Sequence, residues 1–168
     1  METTKTITLL CTGVIAVTIS LTLTRLLIRK EKISSEKEGK IILSYGILFT
    51  SWVLGFSLLN LKTISVLNEY FDMVYKVYSS NHLIEISKTG ILFIGLTNLW
   101  LVFWHYVTKV LSLLFLGRRD SQNEMESNNY VYFLVNGTIF ISFIYILMPI
   151  FENALRTFFP ELEIPFYR

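Results

Sequence analysis

The chain has 168 residues, of which 52% are hydrophobic and 17% charged, with a formal net charge of +2 and a mean hydropathy of +0.52. Soluble domains carry about 25% charged residues, and the apolar residues here fall in long blocks, a pattern that points to a bilayer rather than a self-contained aqueous core. The small net charge, with no basic stripe interleaved with aromatics, argues against nucleic acid as a partner.

The first apolar block covers residues 7–28, enough for the ~20 residues that cross a bilayer as a helix. It lacks a small-residue cleavage site and closes on RLLIRKEK, as a retained anchor does. Its Cys11 is the sole cysteine, so no intrachain disulfide and no multi-cysteine zinc site is expected. The flanking TLLCTG offers no small residue before the thiol, so lipidation is not expected there either. Thr8, Thr12, Thr18 and Thr22 share one helical face, which reads as a packing face: small polar residues let helices approach in lipid.

The loop over 29–40 is rich in Arg and Lys, and a second block follows at 41–61. In that block Ser51 with Gly55, and Gly46 with Thr50, each make a small-x-x-x-small step, the pattern of close helix contacts. Beyond it, residues 64–79 form an amphipathic segment. Tyr70, Phe71, Val74 and Tyr78 recur at helical spacing and read as an interfacial or partner-contacting face.

The third block, 90–116, contains the only intramembrane histidine and lysine. Asn98, His105, Lys109 and Ser112 cluster within roughly 60° of helical arc, forming a polar stripe that faces other helices or a pathway. The fourth block, 130–151, adds Asn136 and Tyr145 as partners for that stripe. The sequon at Asn136 lies inside the span, where glycosylation is not expected.

Four spans imply an all-α integral membrane protein, a single membrane domain with the helices in a compact bundle. The bias of Arg and Lys puts loops 29–40 and 117–129 in the cytoplasm and both termini on the opposite side, with a bacterial cytoplasmic (inner) membrane as the expected location. No Asp or Glu lies in any span, which argues against a proton relay. No paired histidines at zinc spacing, nucleophile elbow or phosphate-cradling glycine loop occurs, so no catalytic residue, metal or cofactor is expected. The pattern suits a non-enzymatic subunit that anchors or helps assemble a larger membrane or envelope complex. Its partners would be the lipid bilayer and other membrane subunits or copies of itself. The competing expectation is a small oligomeric transporter or channel that uses the polar stripe.

Overall fold

The computed structural model describes residues 2–29, 31–32, 36–37, 40–77 and 82–159. In chain order the elements are α1 (Glu2–Leu27), a two-residue antiparallel pairing of β1 (Glu36–Lys37) with β2 (Lys40–Ile41), α2 (Leu43–Val77), α3 (His82–Leu116), α4 (Ser121–Glu126), α5 (Tyr130–Ile146) and α6 (Met148–Arg156). Three helices are long and apolar enough to cross a membrane. The pair α5 and α6, bent by 45°, makes a fourth if counted as one span. The bend falls at Leu147, with Pro149 at the start of α6, because proline fits the first turn of a helix but not its interior.

The long helices run alternately up and down. One end of the bundle carries Arg25, Arg29, Arg118 and Arg119, all exposed, and is called the basic end below. The far end carries the start of α1, the end of α2, the start of α3, and α6. Between the ends the exterior is apolar: Leu10, Leu61, Ile91, Leu99, Leu114 and Ile146 are each more than half exposed. An apolar belt of that extent is foreign to a water-facing surface and matches one bathed by lipid.

The α2 helix has 35 residues, about 52 Å at ~1.5 Å per residue, against a hydrocarbon core of ~30 Å. Its far third therefore projects beyond the core, together with the start of α3. The amphipathic segment is thus a continuation of the second span. Its apolar face is covered by the chain itself: Tyr70, Phe71 and Val74 are at most 5% exposed, and Tyr70 meets the rings of Phe93 and Phe159. This corrects the expectation that they form a partner-contacting surface, since periodicity defines an apolar face without saying what covers it. Tyr78 lies outside the described residues.

Charge pairs fasten the far end. Lys62 and Arg156 both bond Glu152, at 2.5 and 2.8 Å. Arg156 also reaches Glu69 at 2.6 Å, and Lys5 of α1 bonds Asp72 of α2 at 2.5 Å.

Inside the bundle, packing follows small residues. Gly55 of α2 faces Phe140 and Ile144 of α5, where an added methyl would lie 2.5 Å from the Phe140 ring. Ser51 lies one turn away, against Gly137 of α5. Of the two small-residue steps expected to make contacts on α2, Ser51 and Gly55 sit at the α2–α5 contact, whereas Thr50 is exposed and Gly46 has open space around it. On α1 the buried face is Ala16, Ser20, Thr24 and Ile28, not the expected threonine face. Thr12 faces Gly90 of α3 and Thr8 is half-buried, but Thr18 and Thr22 point outward, their hydroxyls bonded to the Val14 and Thr18 carbonyls. That bond to the helix's own backbone makes threonine tolerable in an apolar environment.

Candidate functional site

Two polar clusters lie within the apolar belt, and the polar stripe of α3 is divided between them. The first joins α1, α2 and α3. Asn60 Nδ2 donates to Ser20 Oγ at 3.0 Å, and Ser20 Oγ donates to Asn98 Oδ1 at 3.1 Å. Each asparagine also donates to a carbonyl of its own helix, Phe56 or Ile94, at 2.8 Å. One turn towards the far end, the Thr63 and Thr97 hydroxyls meet at 2.7 Å. This cluster is buried and joins three helices, the geometry of a lock between them, with Asn60 Oδ1 unpartnered among the described residues.

The second cluster lines a cavity of about 300 Å³ that opens at the basic end. By position along the helices, its lining runs from Glu31, Arg119, Asp120 and Ser121 nearest the basic end, through Thr108, Lys109, Ser112, Tyr132 and Asn136, to Trp52, His105 and Phe140 furthest from it. His105 lies 11 residues from the end of α3, a depth of about 16 Å, close to the middle of a ~30 Å core. Its ring packs on Trp52 with centroids 4.9 Å apart, and Trp52 in turn packs on Phe140 at 4.8 Å. A layer of buried apolar residues, Phe56, Leu59, Leu101 and Ile144, separates this aromatic group from the three-helix polar cluster.

Local features explain why the cavity forms. Gly117 ends α3 with φ +76°, a left-handed conformation that favours glycine. The chain then turns through Asp120, whose carboxylate caps α4 by accepting from Gln122 N–H. Helical hydrogen bonds continue past α1, with Lys32 N–H donating to the Ile28 carbonyl. Glu31 therefore falls on the same face as Ile28 and is only 7% exposed. Ser121 Oγ donates to its Oε1 at 3.0 Å, while its Oε2 has no partner among the described residues. Thr108 Oγ1, also in a residue 7% exposed, has none among them either. The Ser112 hydroxyl donates to the Thr108 carbonyl at 2.7 Å and contacts the Asn136 amide. Lys109 is exposed, and among the described residues no carboxylate pairs with it.

His105, Lys109, Ser112 and Asn136 thus come together, whereas Asn98 belongs to the three-helix lock. Tyr145 is 70% exposed and takes no part in either cluster, which corrects its expected pairing with the stripe: it lies on the lipid-facing side of α5. Glu31, Thr108 and Tyr132 are lining residues that sequence reasoning left out. Glu31 continues the buried face of Ala16, Ser20, Thr24 and Ile28 beyond the apolar block into the charged loop, a continuation that only the structure reveals. Among the described residues no group of three or more His, Cys, Asp or Glu converges as a metal site would.

Comparison with known protein families, characterised proteins and solved structures finds no match to this chain.

Proposed function

We propose that the chain is a non-enzymatic subunit of a larger membrane complex, a four-helix bundle in the cytoplasmic membrane with its basic end in the cytoplasm. The orientation rests on the excess of Arg and Lys in the two loops of that end. The observation that carries the subunit reading is the outward surface of α1. Thr4, Cys11, Thr18 and Thr22 are exposed there, with Thr8 half-buried, along one helical face on which Ile15 is the large apolar residue between Cys11 and Thr18. Large apolar residues dominate the lipid-facing surface elsewhere, and small ones give up contact area with lipid tails. They favour instead the close approach of a second helix. The occupant is a transmembrane helix of another subunit or of a second copy.

Purification in a mild detergent tests the reading. A stoichiometric membrane partner, or a discrete homo-oligomer, is the expected result; a monomer carrying only lipid would contradict it. A conduit reading takes support from the open cavity, but the polar lining stops at Trp52, His105 and Phe140. Flux in liposomes abolished by His105→Ala, with assembly retained, would favour the conduit over the subunit.

A further inference from the structure

The cavity at the basic end contains more polar capacity than the chain itself uses. Glu31 is only 7% exposed, yet Oε2 has no hydrogen-bond partner among the described residues. A buried carboxyl oxygen without a hydrogen bond is costly, so it calls for a donor that the described residues do not supply. Thr108 Oγ1 is similarly buried and unpartnered. Lys109 brings a positive charge to the same walls, and among the described residues no carboxylate lies within ion-pair distance of it. One cavity therefore offers the Lys109 cation, an anion with a free oxygen and a hydroxyl, between apolar walls that include Leu48, Leu113 and Phe133, while the charges at its mouth are engaged, Arg119 by Glu124 and Asp120 in capping α4.

We propose that this cavity binds a zwitterion bearing a phosphate and a primary ammonium, in the form of the headgroup of an ethanolamine phospholipid. The ammonium donates to Glu31 Oε2, and the phosphate pairs with Lys109 and accepts from the Thr108 hydroxyl. Charge complementarity selects a zwitterion: a simple anion meets Glu31 unfavourably, and a simple cation meets Lys109 in the same way. Position selects a lipid over a free solute. The mouth lies where α1 and α3 end and α2 and α5 begin, which is the headgroup level of one leaflet. The apolar walls suit the glycerol and first methylenes of a lipid already present there at high local concentration.

The test is native mass spectrometry of the full chain released from detergent, after incubation with phosphatidylethanolamine, phosphatidylglycerol or free phosphoethanolamine. Wild type should retain one phosphatidylethanolamine, on the order of tenfold more strongly than phosphatidylglycerol, as expected when one charge-assisted hydrogen bond is at stake. Glu31→Gln should abolish that preference, weakening phosphatidylethanolamine retention and, with the like charge gone, raising that of phosphatidylglycerol. Lys109→Gln, at an exposed position, should weaken both lipids. Equal retention of the two lipids by wild type would overturn the proposal, and that comparison needs no variant to fold. So would an unchanged preference in a folded Glu31→Gln protein. Retention of free phosphoethanolamine without either lipid would overturn the lipid as the source of the zwitterion.

Discussion

Ser51 of α2 rests directly against Gly137 of α5, so close that a methyl at Gly137 would stand 2.7 Å from Ser51 Cβ. The contact sets the spacing of two helices that also form walls of the cavity, so helix packing and cavity shape are one variable here. Gly137→Ala should force the pair apart and cost about 1–3 kcal/mol, the usual penalty for overpacking. Ser51→Gly in the same chain should recover much of that loss. Thermal unfolding in detergent of both single variants and the double variant measures the coupling.

The start of α2 is capped from a distant part of the chain. Asn128, held at φ 54°, accepts through Oδ1 from both the backbone N–H and the hydroxyl of Ser44, at 3.2 and 2.9 Å. Asn128→Gly keeps the backbone conformation and loses the cap, an effect of about 1 kcal/mol. Asn128→Ala loses the cap and also strains the left-handed residue, adding about 1 kcal/mol more. The order wild type, Gly, Ala in unfolding temperature is the expected outcome. An Ala variant as stable as Gly would show that the conformation, at least, is not constrained.

The Ser20–Asn60–Asn98 lock should behave as packing rather than as pathway. Asn98→Leu should lower stability by about 0.6–1.7 kcal/mol, the range for interhelical hydrogen bonds in membranes. Lipid retention by the cavity should be unchanged, because the cavity lining does not include Asn98. Native mass spectrometry and unfolding on the same sample read both quantities.

Much of this was legible in the sequence, for reasons that also mark where legibility ends. The blocks at 7–28, 41–61 and 90–116 announce themselves by length, since lipid demands that backbone groups be satisfied within each helix. The joint at Leu147 is signalled by Pro149. The polar stripe of α3 could be located but not assigned, because a straight helix meets different neighbours along its length: Ser20 and Asn60 at Asn98, then Asn136 at Ser112. Tyr70 and Phe71 were legible as an apolar face, while the identity of what covers them depended on how α3 and α6 return. Glu31 was hidden by its setting in a charge-rich run, where burial leaves no compositional trace.

The far-end network should give stability an acid limb. Lys62 and Arg156, each hydrogen-bonded to Glu152, hold its carboxyl below the usual carboxylate range. The unfolded chain then binds that proton more readily than the folded one. The contribution is full above the unfolded value of about 4.3 and is lost as pH falls through the lower folded value. The difference in unfolding temperature between wild type and Glu152→Gln should therefore be largest near neutral pH and shrink under acid. A difference independent of pH would contradict this assignment.

The central claim, that the outward stripe of α1 docks a helix of another subunit, has a built-in reporter. Cys11 is the only cysteine, is exposed, and lies on that stripe. A benzophenone maleimide on Cys11, irradiated in native membranes, should give one discrete protein adduct. The control Cys11→Ser/Leu10→Cys, which moves the thiol to another exposed position of α1, should give far less. Adducts with lipid alone at Cys11, or equal protein adducts from both positions, would contradict the account.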